Sequence, residues 1–138
     1  MNAELVQALA SRQIEIRDRW EAFLRLEPVA SPLANPDTLV FGIDGALREI
    51  FTLLWKPKVE AGKGAVACAC GRNPLGAFFL AGEQALLEVL ILVQTGQPRL
   101  AAADRSQAVD DLRCAVRHVA HRETSLIAEL CQACRSED

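Results

Sequence analysis

The chain has 138 residues, of which 51% are hydrophobic, with a formal net charge of −3 and a pI near 5.4. A chain of this length is expected to form one domain, residues 1–138, around a single core. The acidic balance and the few aromatic residues argue against the basic patch or base-stacking platform with which proteins bind nucleic acid or an anionic membrane.

Helical periodicity predicts two helices in the first half of the chain. Residues 3–26 form the first, because apolar side chains recur there at roughly helical spacing. The second begins at Pro36, since Asn35 can cap it and proline suits the first helical position, and it stops before Pro57. On this second helix, Gly42 and Gly45 are expected to let another backbone approach closely.

The most apolar element is a central helix over residues 74–95, which follows a second Asn-Pro pair and is terminated by Gly96. A narrow strip of it is expected to tolerate solvent, formed by Ala77, Ala81, Gln84, Glu88 and Thr95. It is long enough to span a bilayer, but the charges near its middle favour a buried helix of a soluble protein. A helix that is apolar nearly all round is either enclosed by its neighbours or shared between two copies in a dimer.

The last helix is predicted from about Asp104 to Cys134. Its apolar residues step by three and four along a sustained seam, Val109, Leu112, Val116, Val119, Leu126 and Leu130. No run of residues alternates with period two, so no strand is predicted. The expected fold is an all-α single-domain bundle of four long helices, with a short fifth over residues 66–70 as an additional candidate and globin-like packing as the expected arrangement.

The N-terminus carries no basic region followed by an apolar run, so no signal peptide is predicted. A cytoplasmic location follows as the expectation, and thiols stay reduced in that compartment. The excess of Arg over Lys and the abundance of Ala are typical of a GC-rich bacterial genome. Five cysteines in such a protein therefore call for a reason other than disulfides.

Four of the cysteines form two pairs beside the last two helices. Cys68 and Cys70 form C-x-C before the central helix, and Cys131 and Cys134 form C-x-x-C at the end of the last helix. The short connection after Gly96 makes these helices antiparallel neighbours, so four thiolates could converge at one end of the bundle. A tetrahedral Zn²⁺ is the natural occupant of such a site, and an iron–sulfur cluster uses the same ligands.

Two further interpretations of these four cysteines stay open. Buried cysteines are common as inert packing residues, and a cysteine pair can also act as a thiol–disulfide switch. A lower-ranked metal or anion site is formed by Cys114, His118 and His121, which share one stripe of the last helix. That stripe lies away from the apolar seam, so an exposed or hydrogen-bonded histidine pair is the more ordinary interpretation.

Two carboxylates, Glu83 and Glu123, interrupt apolar stretches. Carboxylates near a core suit acid–base chemistry or a metal, but the Glu-x-x-His pairs of di-iron bundles are absent from the sequence. Buried salt bridges to Arg48, Arg117 or Arg122 are the expected role. No glycine-rich phosphate loop or nucleophile elbow occurs in the sequence, and an enzyme is not predicted.

The first two predicted helices carry a succession of short motifs. These are Arg17-Asp18-Arg19-Trp20, Pro32-Leu33-Ala34-Asn35-Pro36 and a helix from Gly42 to Leu54. Over about residues 4–56 this succession resembles the N-terminal domain of RsbR-type co-antagonists, which are bacterial stress-signalling proteins. The resemblance implies an all-helical, non-haem globin-like sensory module that acts through partners or dimerisation, without catalysis. The cysteine pairs are not part of that pattern, so it assigns no ligand or partner to them.

The sequence therefore predicts a small bacterial cytoplasmic sensory or regulatory binding module with a zinc or thiol site at Cys68, Cys70, Cys131 and Cys134. One alternative is an iron–sulfur or thiol redox protein that uses the same cysteines. The other is a structural dimerising bundle with inert cysteines and no cofactor. A protein partner or a second copy is expected, nucleic acid and membrane are not, and the sequence does not indicate a small-molecule ligand.

Overall fold

A computed structural model describes residues 1–26, 36–55 and 74–130. The regular elements in these three ranges are helices, with a 3-10 turn at Val40–Gly42, and no strand occurs in them. The helices are α1 (Ala3–Ala10), α2 (Gln13–Leu26), α3 (Pro36–Leu39), α4 (Ile43–Trp55), α5 (Pro74–Thr95) and α6 (Ala102–Leu130). The predicted all-α character is confirmed for this part of the chain.

The predicted first helix is wrong in one respect, because it is two helices. α1 ends where the Ser11 backbone N–H donates to the Gln7 carbonyl and the Ser11 hydroxyl donates to the Ala8 carbonyl. Serine side chains that bond to nearby backbone in this way compete with helix continuation. The apolar pattern conceals the break, since Leu9 and Ile16 are both fully buried and lie two helical turns apart on either side of it.

The second predicted helix begins at Pro36 and ends at Trp55, but it is also interrupted. Its first turn, α3, passes into the 3-10 turn at Val40–Gly42 before α4 starts. Short 3-10 pieces commonly connect helical segments that point in different directions.

α5 is the central helix, as predicted, and its length also agrees with the prediction. It lies between α2 and α6 and contacts α1, while α4 packs against α6 and α2. The residues with no exposed surface come from all these helices and form one core, including Leu9, Ile16, Trp20, Leu47, Ile50, Leu86, Leu90 and Leu112.

The predicted solvent-tolerant strip of α5 is confirmed at Ala77, Gln84 and Thr95, which are exposed, and Glu88 is half-buried; the prediction is wrong at Ala81. Ala81 is 8% exposed and belongs to the core, whereas Leu80 is 68% exposed and Ile91 is 56% exposed. The sequence pattern put the polar and small residues outside and the leucines inside, which is the usual distribution in a soluble helix. α5 therefore presents large apolar side chains on both of its faces.

α5 and α6 run antiparallel, as their short connection predicts. Gln94 donates to the Arg105 carbonyl at 3.1 Å beside the connection, and Glu83 meets Arg117 further along the pair. The Arg105 guanidinium also donates to the carbonyls of Gln97 and Leu100, which fixes the turn. The start of α5 and the later part of α6 consequently lie at the same end of the bundle.

Trp20 of α2 is packed directly on the backbone of α5. Its Nε1 donates to the Phe78 carbonyl at 2.8 Å, and its ring lies 4.8 Å from that of Phe78. A Cβ atom on Gly82 would lie 2.4 Å from Trp20 Cζ2, so only glycine leaves room for the indole at this position. This contact fixes the orientation of the phenylalanines that follow Pro74.

Within the described ranges, α5 is the one helix that is long and apolar enough to cross a membrane. Half of that segment, Leu75–Thr95, is buried inside the bundle, as in the core helix of a soluble protein. A single helix of this kind does not make the chain a membrane protein.

Candidate functional site: an apolar cavity at one end of the bundle

An open cavity of about 430 Å³ lies where α3 and α4 meet the start of α5 and the later part of α6. This volume falls within the range of about 300–1,000 Å³ that is typical of small-molecule sites. Its walls are mostly apolar, with Leu39, Leu75, Phe78, Phe79 and Val119 contributing large side chains. Such a cavity is the default candidate for a binding site in a protein of this size.

Two glycines of the 3-10 turn and α4 open one wall of the cavity. A Cβ atom on Gly45 would meet no other atom within 4 Å, and one on Gly42 would only touch the Phe78 ring at 3.5 Å. The expectation that these glycines admit a neighbouring backbone is therefore wrong for the described structure. Both glycines line the cavity instead: Gly42 lies against the Phe78 ring, and a Cβ atom on Gly45 would face open space.

The opposite wall is aromatic and rigidly held. The rings of Phe78 and Phe79 are 5.0 Å apart in an edge-to-face arrangement, and both are almost fully buried. Trp20 packs against both of them from the other side, and its hydrogen bond to the Phe78 carbonyl fixes its position. An edge-to-face pair with a fixed third ring is preorganised, so a ligand would not have to order it.

Charged side chains of α4 and α6 form the rim. Arg122 makes ion pairs with Glu49 and with Glu123, the latter at 3.6 Å, so the two rim carboxylates share one cation. Within the described ranges the guanidinium of Arg48 pairs with no carboxylate, although Arg48 also lines the cavity. Among the rim residues that the structure describes, Arg48 is therefore the cation that is available to a ligand.

The predicted role of the two glutamates is confirmed in part. Glu83 makes the expected ion pair with Arg117, whose Nε lies 3.4 Å from Oε1, and its side chain is only 15% exposed. The geometry is not that of a hydrogen bond, and Oε1 has no hydrogen-bond partner among the described residues. Glu123 pairs with Arg122, but it is half-exposed on the cavity rim and not buried.

The four cysteines of the predicted metal site, Cys68, Cys70, Cys131 and Cys134, lie outside the described residues. Their convergence therefore stays a prediction. The helices that carry the two cysteine pairs are antiparallel, as the prediction requires: α5 starts at Pro74, and α6 is described to Leu130. The start of α5 and the end of α6, to which the cysteine-bearing segments are joined, lie at the end of the bundle where the cavity is.

The lower-ranked site on α6 is not assembled. Cys114 is a half-buried free thiol, His118 is half-buried and His121 is exposed. Among the residues that the structure describes, no three His, Cys, Asp or Glu side chains are grouped so that they could hold a metal ion. A shared helical stripe alone does not bring the three side chains onto one point.

The cavity itself was not predicted from the sequence. Its only sequence signal was the Gly42 and Gly45 pair, three residues apart on one face of a helix. Comparison of the chain with protein-family models, with curated proteins and with solved structures finds no match. The geometry and charge of the cavity are therefore the basis on which a function is proposed.

Proposed function

We propose that this protein is a small regulatory module that binds a mainly apolar small molecule in the cavity beside Phe78 and Phe79, without catalysing a reaction. The observation that carries the proposal is the cavity of about 430 Å³ with a preorganised aromatic wall and a glycine-lined opposite wall. The proposal agrees with the resemblance of the first helices to RsbR-type sensory domains, which implies a non-catalytic, globin-like module. It also agrees with a bacterial, cytoplasmic setting.

The lining indicates the chemistry of the ligand. An apolar body would lie against the apolar lining of the cavity, where about 25 cal/mol would be gained for each Å² of apolar surface, mainly the ligand's own, that is removed from water. An anionic end would be drawn to Arg48, because its guanidinium makes no ion pair among the described residues, whereas Arg122 is already held by Glu49 and Glu123. The favoured class is a small carboxylic acid with an aromatic or branched aliphatic body.

Trp20 provides a direct assay, because its ring packs on both phenylalanines of the cavity wall. In a Trp55→Phe background Trp20 is the only tryptophan, so a change in its emission reports the cavity. A panel of aromatic and aliphatic carboxylic acids, each with its uncharged amide, is titrated and followed by Trp20 emission and thermal unfolding. At about 100 times its Kd, a ligand should stabilise the fold by about 2.7 kcal/mol.

A matched pair of variants locates the site. Gly45→Leu puts a side chain into the cavity, whereas Gly76→Leu adds the same side chain to α5 at a position that does not line the cavity and has open space around it. We expect Gly45→Leu to abolish the ligand response and Gly76→Leu to retain it. Equal responses in the two variants, or no response of the wild-type protein to any compound of the panel, would contradict the proposal.

A second candidate function is metal binding or thiol sensing by Cys68, Cys70, Cys131 and Cys134. The antiparallel packing of α5 and α6 supports it, because both cysteine-bearing segments continue from the same end of that pair. Metal analysis of protein purified without a polyhistidine tag tests this candidate. We expect close to one equivalent of zinc for a tetrathiolate site and visible absorption for an iron–sulfur cluster. If only traces of either metal are found, the metal site is excluded, and the thiol switch and the inert cysteines remain as interpretations.

A further inference from the structure

A second, smaller cavity adjoins the apolar cavity between α4 and α6. Its volume is about 220 Å³, and Arg48, Glu49 and Val119 line both spaces. Arg122 lines the smaller cavity as well. The two cavities therefore meet along the charged rim, so the rim side chains have open space beside them for the charged end of a ligand whose apolar body lies in the larger cavity.

The rim carries charges of both signs in equal number. Arg48 and Glu49 come from α4, whereas Arg122 and Glu123 come from α6. A ligand with only a carboxylate meets Arg48, but it also brings its charge beside two glutamates that repel it. A ligand that carries a cation next to its carboxylate matches both signs of the rim, and complementary charges of this kind give specificity.

The pairing among these four side chains leaves one group of each sign for a ligand. Arg122 makes its close ion pair with Glu49. Its Nη2 lies 3.6 Å from Glu123 Oε1, which is too long for a hydrogen bond. The Arg48 guanidinium makes no ion pair among the described residues, so Arg48 on α4 and Glu123 on α6 are the two groups of the rim that keep capacity for a ligand.

We propose that the ligand of this cavity is an α-amino acid with a large apolar side chain, an inference that rests on the proposed function and names its ligand class. The carboxylate of the amino acid accepts hydrogen bonds from the Arg48 guanidinium, whose planar fork suits a carboxylate. Its ammonium group donates to the Glu123 carboxylate, and its side chain lies against the apolar lining beside Leu75. A few placed polar groups at the mouth of an apolar cavity orient a ligand in this way.

Isothermal titration calorimetry with matched compounds separates the two charged contacts. L-Phenylalanine, phenylpropanoate and phenethylamine share one aromatic body, and the last two lack the ammonium and the carboxylate respectively. L-Leucine, isocaproate and isoamylamine form the same series with a branched aliphatic body. In at least one series the amino acid should bind about 10-fold more tightly than either analogue, because each analogue leaves one charged group of the rim without its hydrogen-bond partner.

Substitutions at the rim assign each contact to its side chain. Glu123→Gln keeps the size of the side chain and removes its charge, so it should weaken amino acid binding about 10-fold and leave the matched acid at least as tightly bound. Arg48→Gln should weaken the amino acid and the acid alike. Glu4→Gln is the control, because Glu4 is exposed on α1 and does not line either cavity; it should change neither affinity. Circular dichroism checks that each variant is folded.

The outcomes distinguish this inference from the proposed function on which it rests. If phenylpropanoate and isocaproate bind as tightly as their amino acids, or if Glu123→Gln weakens acid and amino acid equally, the amino acid assignment is overturned and the carboxylic acid site stands. If none of the six compounds binds, the inference fails together with the proposed function. A preference for the amino acid that Glu123→Gln abolishes and Glu4→Gln retains would support it.

Discussion

The contact between Trp20 and Gly82 makes the substitution Gly82→Ala a test of the packing that supports the cavity. A Cβ atom at position 82 would lie 2.4, 2.5 and 2.7 Å from three carbons of the indole. Carbon atoms in favourable contact are about 3.5–4.0 Å apart, so the ring would have to retreat by about 1 Å. It has no free path, because Trp20 is fully buried and its Nε1 is bonded to the Phe78 carbonyl at 2.8 Å.

The expected loss of stability combines three contributions. Overpacking a well-filled core costs about 1–3 kcal/mol. Displacing the indole leaves its buried N–H without a partner, which costs about 1–3 kcal/mol. Alanine is favoured over glycine within a helix by about 1 kcal/mol, which offsets part of this. The net destabilisation of Gly82→Ala is then about 1–5 kcal/mol, or roughly 3–20 °C in Tm for a domain of this size.

Urea denaturation followed by circular dichroism at 222 nm and by Trp20 emission measures the effect. Gly76→Ala is the control, because it makes the same change on the same helix at a position where a Cβ meets nothing within 4 Å. It should be neutral or stabilising by up to about 1 kcal/mol. If Gly82→Ala were as stable as Gly76→Ala, the tight packing of Trp20 on α5 would be refuted, and with it the rigidity of the aromatic cavity wall.

Two further pairs of substitutions test contacts of the same helix. Trp20→Phe removes the hydrogen bond to the Phe78 carbonyl and part of a buried ring, so it should lower the free energy of unfolding by about 2–4 kcal/mol, measured by urea denaturation. Trp55→Phe is the control, because Trp55 is half-exposed; it should change the free energy of unfolding by no more than about 0.5 kcal/mol. Arg117→Ala leaves the largely buried Glu83 carboxylate without its cation and should cost about 1–3 kcal/mol, whereas Glu83→Gln removes the charge itself and should cost less. A greater loss for Glu83→Gln than for Arg117→Ala would show that the carboxylate contributes more than this ion pair.

Local signals in the sequence located most helix ends, because each end depends on the chemistry of a few adjacent residues. Proline at Pro36 and Pro74 begins α3 and α5, and α5 ends at Thr95, just before Gly96. The break between α1 and α2 was missed, since the hydrophobic face passes through it in phase and its cause is a side-chain bond of Ser11. Periodicity detects a continuous face and not a continuous helix.

The cavity could not be predicted for a different reason. It lies where α3 and α4 meet α5 and α6, and its size depends on how all of these helices pack together. The Gly42 and Gly45 pair was visible in the sequence, but a glycine is equally compatible with a close backbone contact and with open space. Only the distance from Gly45 to the nearest atoms distinguishes the two.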